Sequence, residues 1–225
     1  MQISDKVLRM RQDLGEVFEA GYAKGVDESG GAIYYATSLR STFAMAVIPS
    51  GYEMTVKTRK APSDMYQAFA YVTGIKSVKL LAEEQGAAVS MAQTFRECSS
   101  LEVVDLTGYS RKIQRAEYLF FNSNKLRSVL GALDLSECTE NSWLDYAFFA
   151  SVLQDVEFVP GTIKVNIRLN SSFLTDTSIN SIINGLANVK SIGIGRVLTL
   201  NGVGGKLTDA QRLSATMKGW TIVTG

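Results

Sequence analysis

The fold of this chain is indicated by residues 92–106, which read Ala92-Gln-Thr-Phe95-Arg-Glu-Cys98-Ser-Ser-Leu101-Glu-Val-Val104-Asp-Leu106. The second half of this stretch has apolar residues in the order apolar-x-x-apolar-x-apolar. The same pattern starts at four other places, so that successive copies begin 26, 25, 27 and 36 residues apart; the copies start at Ile75, Leu101, Leu126, Leu153 and Val189. An aromatic residue precedes each of the first four copies by five or six positions: Phe69, Phe95, Phe120 and Phe148.

A period of roughly 20–29 residues with one short strand per repeat is typical of leucine-rich solenoids. One such repeat cannot bury its apolar face alone, so neighbouring repeats must stack to make a core. We therefore expect an α/β leucine-rich-repeat solenoid over residues 31–194, with short parallel strands, turns and short helices. Three residues after the aromatics stand Val72, Cys98, Ser123 and Ser151, which predicts a column of small buried side chains. In that column Cys98 is interpreted as a packed core thiol.

Residues 92–106, together with 65–69 and 75–78, resemble the BspA-like leucine-rich repeat, whose pattern is Ala-Phe-x-x-Cys-x-x-Leu-x-x-Val-x-Leu. The similarity covers about residues 62–194, although cysteine occupies its position only in the second repeat, at Cys98. The stretches 174–187, 197–201, 206–211 and 218–223 look like the closing module of repeat proteins encoded among phage and prophage tail genes, and residues 17–25 look like their first helices. The resemblance implies a tail-associated virion protein that contacts a protein or a bacterial surface.

The C-terminal part also predicts helix, strand, helix, strand from its residues. Thr175 is placed to cap a first helix and Thr208 a second, which Gly219 would end. Residues 195–225 are expected to form a capping segment, in which Trp220 and Ile222 close the stack. The first helix should turn one apolar side inward, at Ile179, Ile182, Ile183 and Leu186.

The N-terminal segment has the spacing of a coiled-coil seam. Steps of 4, 3, 4 and 3 residues separate its apolar positions, which are Ile3, Val7, Met10, Leu14 and Val17. We expect residues 1–30 to be an amphipathic helix followed by a glycine-rich linker, and the chain to be a homo-oligomer through that helix. Two alternatives stay open, since such a helix could instead pack on its own domain or dock on another protein.

Composition excludes several classes of chemistry. The 225 residues contain no histidine, so a histidine base and histidine-ligated metal sites are excluded. Two cysteines, 40 positions apart, form no zinc-binding motif, and whether they pair is left open. The glycines before Lys206 lack the spacing of a phosphate-binding loop, and 23 basic against 22 acidic residues leave no charge excess for nucleic acid. We expect no metal, no cofactor and no nucleic-acid partner.

No stretch has the apolar length of a signal peptide or membrane span, so we expect no membrane insertion and a location in the virion or, before assembly, in the host cytoplasm. The predicted ladder places Lys79, Asp105, Leu130 and Glu157 in one column and Lys76, Glu102, Arg127 and Gln154 in another. Opposite charges there can simply pair across strands, but the strand surface of a solenoid is also where partners bind. The candidate binding residues are Lys76, Lys79, Glu102, Asp105, Arg127, Asp155 and Glu157.

Aromatic anchors could add to such a surface at Tyr109, Tyr118 or Trp143. We expect a binding or structural protein and not an enzyme. Two rival functions are a bacterial surface adhesin of the same repeat type and a carbohydrate-active enzyme that uses acidic residues. The enzyme would require a cleft with two carboxylates about 5–9.5 Å apart.

Overall fold

The computed structural model describes residues 24–26, 32–34, 38–84, 86, 88–109, 112–142, 144–149 and 152–225. The chain has a mixed α/β fold with mostly parallel strands, as expected. The strands are β1 (Lys24–Val26), β2 (Ala32–Tyr34), β3 (Val47–Lys60), β4 (Thr73–Glu84), β5 (Ala88–Ser90), β6 (Val103–Gly108), β7 (Lys112–Arg115), β8 (Ser128–Leu130), β9 (Ile167–Asn170), β10 (Arg196–Asn201) and β11 (Trp220–Val223). The helices are α1 (Asp176–Gly185) and α2 (Asp209–Met217), with short 3₁₀ helices at Glu140–Ser142, Leu144–Tyr146, Lys190–Ile192 and Gly204–Lys206.

The largest sheet has six strands in the order β1-β2-β3-β4-β6-β8. All neighbours are parallel except β1 and β2, which are antiparallel. The register pairs Val78 with Val104 and Val104 with Val129, and all three valines are buried. The same register follows from the predicted repeat, because each pair joins equivalent positions of successive copies. Two further parallel sheets have the orders β5-β7 and β11-β10-β9.

Between its strands the chain passes through four turn segments, which are residues 39–46, 65–72, 91–98 and 116–123. In each segment, successive backbone N–H groups donate alternately to a carbonyl of the same segment and to a carbonyl of the next segment along the chain. The N–H of Ala70 donates to the carbonyl of Gln67 within its own segment at 3.2 Å. The flanking N–H groups of Phe69 and Tyr71 donate to the next segment, at 2.9 and 2.8 Å. Each segment has two left-handed residues four positions apart: Ser41 and Met45, Gln67 and Tyr71, Gln93 and Glu97, and Tyr118 and Asn122.

One phenylalanine from each turn segment points into the core. The rings form a column, with centroids 5.0 Å apart for Phe43 and Phe69, 5.2 Å for Phe69 and Phe95, and 5.6 Å for Phe95 and Phe120. These neighbouring rings are within 11° of parallel, whereas Phe148 continues the column at a tilt of 42°. The four aromatic residues that precede the sequence copies therefore lie in one column, and Phe43 extends it. The sequence pattern misses Phe43 because the register of β3 against β4 shifts between Val47 and Glu53, so no regular copy follows that ring.

The column of small residues is confirmed at Val72, Cys98 and Ser123, which are all buried. Its polar members satisfy the carbonyls of the phenylalanine column. The thiol of Cys98 lies 3.0 Å from the carbonyl oxygen of Phe69, and the hydroxyl of Ser123 donates to that of Phe95 at 2.6 Å. The oxygen of Ser123 also accepts from the N–H of Cys98 at 3.2 Å. Buried carbonyls need hydrogen-bond donors, so small side chains with a donor group are favoured at these positions.

Three expectations about the strands are corrected. Lys24–Val26, expected in the linker, form β1 and pair with β2. Strands β3 and β4 have 14 and 12 residues and are not short, because beyond the register shifts at Tyr52 they stay paired from Glu53 with Ser77 to Lys60 with Glu84. The fifth copy is not a strand: Lys190–Ile192 form a 3₁₀ helix that ends at Gly193 with a φ of 69°, and Ile192 is 59% exposed.

The C-terminal helices and strands occur in the predicted order, and both helices begin at the predicted capping residues. The hydroxyl of Thr175 accepts from the N–H of Ser178 at the start of α1, and Thr208 forms a reciprocal capping box with Gln211 at the start of α2. Gly219, with a φ of 90°, follows α2, and a Cβ there would lie 2.9 Å from the backbone of Lys190. The predicted inward residues of α1 are all buried: Ile179, Ile182, Ile183 and Leu186. The predicted N-terminal helix, with Ile3, Val7, Met10, Leu14 and Val17, lies outside the described residues.

Candidate functional site

The predicted strand surface is present, and two of its charged side chains form an ion pair. Lys79 on β4 and Asp105 on β6 are register neighbours, and their charged groups lie 3.1 Å apart. Partial burial acts to raise the pKa of Asp105, but two hydrogen bonds from Thr107 and the ammonium group of Lys79 outweigh it and lower this pKa below its ordinary value. This pair is therefore an ordinary cross-strand ion pair.

The other predicted residues follow the same ladder. Lys76, Glu102 and Arg127 lie side by side, since the N–H of Glu102 donates to Lys76 and that of Arg127 to Glu102, at 2.8 and 2.9 Å. Asp155 accepts from the hydroxyl of Ser128 at 3.0 Å. Glu157 is displaced from the column, because its carbonyl accepts from Leu133 and not from a residue of β8. The chain bends there at Gly131, where φ is 93° and a Cβ would lie 2.9 Å from the backbone of Leu106.

The two cysteines are buried and free. Desolvation raises the pKa of Cys98 from 9.0 to about 12, and the same cause raises the pKa of Cys138 to about 12. A nucleophilic cysteine needs a thiolate, which these surroundings disfavour at neutral pH. Cys98 is thus the packed core thiol that its column predicts. Within the described residues, no group of three or more acidic or cysteine side chains is arranged to hold a metal ion.

A different surface concentrates aromatic and arginine side chains. We call it the turn face, and it consists of the outward-facing residues of the turn segments and of residues 146–149: Tyr71, Arg96, Tyr118, Phe121, Tyr146 and Phe149. The rings of Tyr118 and Tyr146 stack with centroids 5.4 Å apart, and those of Phe121 and Phe149 stack at 5.5 Å. Tyr118 and Phe121 also meet edge to face at 5.4 Å. Four rings from two successive units therefore form one continuous cluster.

Arg96 joins this cluster to the preceding unit. Its guanidinium carbon lies 5.6 Å from the ring centres of Tyr118 and Phe121 and 5.4 Å from that of Tyr71. The guanidinium group is also 3.1 Å from the carboxylate of Glu97 and 3.3 Å from the amide oxygen of Gln93. Cation–π contacts of this kind contribute about 0.5–1 kcal/mol each at exposed sites. The arginine is thus held in place and its charge is balanced.

The stacking decides which parts of the rings are available to a partner. Arg96 comes from the unit before Tyr118 and Tyr146 from the unit after it, so the Tyr118 ring has a neighbour from each adjoining unit. Phe121 lies in the same way between Arg96 and Phe149. The solvent side of the cluster therefore offers ring edges and tyrosine hydroxyls, and Tyr146 is 37% exposed.

Of the three predicted aromatic anchors, one lies on this surface. Tyr118 is part of the turn face, whereas Tyr109 is buried and its hydroxyl donates to the carbonyl of Pro62 at 2.8 Å, so it is not an anchor. Trp143 lies outside the described residues. The signal that could have revealed the cluster is the repeated aromatic pair at 118 and 121 and again at 146 and 149.

None of the helices in the described part of the chain is both long and apolar enough to cross a membrane. No family model, curated protein or solved structure matches this chain, so the site itself carries the functional argument.

Proposed function

We propose that this chain is a non-catalytic binding protein, a leucine-rich-repeat solenoid that holds a protein partner against its turn face. The observation that carries the proposal is the cluster of four aromatic rings, two of which contact Arg96, that spans successive units on one surface. Tyrosine and arginine are the residues most enriched at the energetic centres of protein interfaces. Their stacking against one another fixes the side chains in advance, so little conformational freedom is lost on binding.

Three features favour a protein over other partners. A sugar ring would stack on an aromatic face, and both Tyr118 and Phe121 already have Arg96 as a neighbour and a stacked ring besides. Nucleic acid would require a basic excess. On this surface Arg96 is paired with Glu97; in the first turn segment Arg40, which lies over the ring of Tyr66, is paired with Asp64 at 2.7 Å. A protein surface fits best, because it can meet ring edges and hydroxyls with mixed apolar and polar groups.

The proposal also includes the kind of partner that the family resemblance implies. The partner would be another protein of a phage or prophage tail or a protein on the surface of the host bacterium. The strand surface around Lys79 and Asp105 is the second candidate for the contact, since it is extended and regular. It ranks second because its candidate binding residues are all charged and exposed ion pairs such as Lys79–Asp105 contribute little, whereas tyrosine and arginine side chains cluster on the turn face.

The two surfaces can be tested separately with the full chain. A displayed random-peptide library is selected for binding, and enriched peptides are measured against two double variants. Tyr118→Ala with Tyr146→Ala removes one stack of the turn face; the matched control, Lys79→Ala with Asp105→Ala, removes an ion pair from the strand surface without changing net charge. We expect the first variant to lose at least about thirtyfold in affinity, the loss of about 2 kcal/mol typical of interface centres, and the second to bind normally.

Circular dichroism and cooperative unfolding of both variants show whether they are folded. We also expect the affinity to change little with salt, because the charges of the turn face are paired. Peptides that bind the Tyr118 and Tyr146 variant normally, or that lose binding to the strand-surface variant instead, contradict the proposal. Binding of a glycan array with loss at the turn-face variant would keep the site but replace the protein partner.

A further inference from the structure

The aromatic rings of the turn face repeat at a nearly constant distance. The ring centres of Tyr118 and Tyr146 are 5.4 Å apart, and those of Phe121 and Phe149 are 5.5 Å apart. The rings of the buried phenylalanine column, from the same turn segments, repeat at 5.0, 5.2 and 5.6 Å. The turn face is therefore a periodic surface, and a partner that lies along the direction of stacking meets one unit after another at this spacing.

The period continues towards the first turn segment. Met45 and Tyr71 occupy equivalent left-handed positions of successive segments, and their N–H groups donate to the following segment, to the carbonyls of Ala70 and Arg96, both at 2.8 Å. Met45 is 70% exposed. The outward side chains thus run through five successive units, from Met45 through Tyr71 and Arg96 to the two pairs of rings.

An α-helix has the same period as this surface. Each of its turns rises about 5.4 Å, so a helix that lies along the stack keeps one turn on each unit and drifts by less than about 1 Å over four steps. An extended strand brings side chains to one side only every 6.4–6.8 Å or so, and it drifts by about 5 Å over the same distance, which is nearly a whole unit. A polyproline helix repeats after about 9.3 Å, which matches neither one unit nor two.

The turn face is two rings wide, and this width also suits a helix. Within one unit the ring centres of Tyr118 and Phe121 are 5.4 Å apart, and in the next unit those of Tyr146 and Phe149 are 6.2 Å apart. The apolar stripe of an amphipathic helix covers about 100° of a cylinder about 10–12 Å in diameter, which is a width of about 9–10 Å. Two rings side by side cover a strip of similar width.

We propose that the segment of the partner protein that contacts the turn face is an amphipathic α-helix of about 16 residues, lying along the stack with one turn on each unit. The inference rests on the proposed function, because it names the kind of segment that the turn face holds. Apolar side chains three and four positions apart in the helix would lie on the two pairs of rings. Polar side chains further along it would meet Arg96 and Glu97, which already form an ion pair.

The kind of segment can be selected directly, with the full chain as the target. Three displayed libraries of inserts of about 16 residues are used. One has apolar residues at alternating steps of three and four positions, one has them at every second position, and one is closed into a loop by a terminal disulfide; all other positions are random. We expect binders from the first library to be at least about tenfold tighter than the others, and Tyr118→Ala with Tyr146→Ala to lose them.

Helix formation on binding is measured with synthetic copies of the selected peptides. We expect their helical circular dichroism to increase when the full chain is added. Proline in place of a central residue on the polar side of the peptide should lower the affinity at least about a hundredfold, because proline interrupts a helix. Alanine at the same position keeps the helix and is the matched control, which should bind normally.

The length of the contact is tested at its two ends. Met45→Ala and Tyr146→Ala should each lower the affinity of the selected helical peptide about fivefold, because the helix reaches both the first and the last of the five units. A peptide shortened by one turn at one end should respond to only one of these two variants. Leu130→Ala changes another exposed apolar residue, on β8, and should leave the affinity unchanged.

The outcomes separate this inference from the proposed function. Strand or loop peptides that bind the turn face as tightly as the helical ones, helical peptides that tolerate proline, or an affinity that ignores Met45→Ala overturn the helix and leave a turn face that binds protein. If no library gives a binder that depends on Tyr118 and Tyr146, the proposed function fails as well. Binding of a synthetic peptide of residues 1–20 to the turn face would make a second copy of this chain the occupant and overturn a separate partner protein.

Discussion

Removing one ring from the phenylalanine column should destabilise the whole protein. Phe95 is fully buried and lies between two nearly parallel rings, Phe69 at 5.2 Å and Phe120 at 5.6 Å. Phe95→Ala deletes the ring in a position where the backbone cannot close the gap, because both neighbouring segments are held by the N–H bonds of the turn segments. The column therefore keeps a cavity about the size of the lost ring.

The expected loss follows from the contacts. A buried phenylalanine replaced by alanine costs about 3–5 kcal/mol, and each aromatic pair adds about 0.5–1.5 kcal/mol beyond the buried area. Because such measured losses of stability already include part of the stacking energy, we expect Phe95→Ala to lower the free energy of unfolding by about 4–6 kcal/mol. Domains of this kind are stable by about 5–15 kcal/mol, so the variant should be close to unfolding. Urea unfolding followed by circular dichroism measures the loss.

Phe43 is the matched control, because it stacks with Phe69 alone among the described rings. We expect Phe43→Ala to cost less than Phe95→Ala by about the worth of one aromatic pair, roughly 0.5–1.5 kcal/mol. Phe95→Leu should cost about 1–3 kcal/mol, since it keeps most of the apolar volume and loses the stacking. A loss below about 2 kcal/mol for Phe95→Ala, or equal losses at Phe43 and Phe95, would refute the idea that the column is the central element of the core.

Three more predictions concern single polar groups. Ser123→Ala leaves the buried carbonyl of Phe95 without its donor and should cost about 1–3 kcal/mol in urea unfolding. The raised pKa values of Cys98 and Cys138 mean that the unfolded thiols ionise first, so stability is complete below pH 9 and falls as the pH rises from 9 towards 12. From pH 8 to pH 10 each thiol should remove about 1 kcal/mol, measured in reducing buffer. Lys218→Met removes the bond to the end of α1 and should lower stability by about 1 kcal/mol.

Each of these predictions has its own control. Ser123→Cys, which places a donor like that of Cys98 in the same column, should recover part of the loss caused by Ser123→Ala. Cys98→Ser keeps a donor to the carbonyl of Phe69 without titrating near pH 9, so its stability should fall less between pH 8 and pH 10; an identical fall would show that the thiol is not responsible. If Lys218→Met is as stable as the wild type, the ammonium group contributes nothing at the end of α1.

The sequence by itself determined the repeating part of the interior. A buried position recurs once per unit, so the period places Phe69, Phe95 and Phe120 in one column and Cys98 and Ser123 in another, whatever the details of the turns. The caps at Thr175 and Thr208 are equally local, since each joins a hydroxyl to the N–H three residues later at the start of a helix. The sequence period gave a wrong prediction where helix α1 lies between two copies of the pattern. Ile192 has the spacing of a strand residue but lies in an exposed 3₁₀ helix.

Only the tertiary structure decided what the outer residues do. Tyr118 and Tyr146 are 28 positions apart, and nothing in their local sequence requires their rings to meet. They stack because successive turn segments are held in register by backbone bonds, such as that from Phe120 to Ala147. The exposure of Leu213 likewise depends on which side of α2 faces α1. Buried positions recur at the same place in each repeat, so the sequence period predicts them. Contacts between surface side chains form between neighbouring units, so they exist only once the units have stacked.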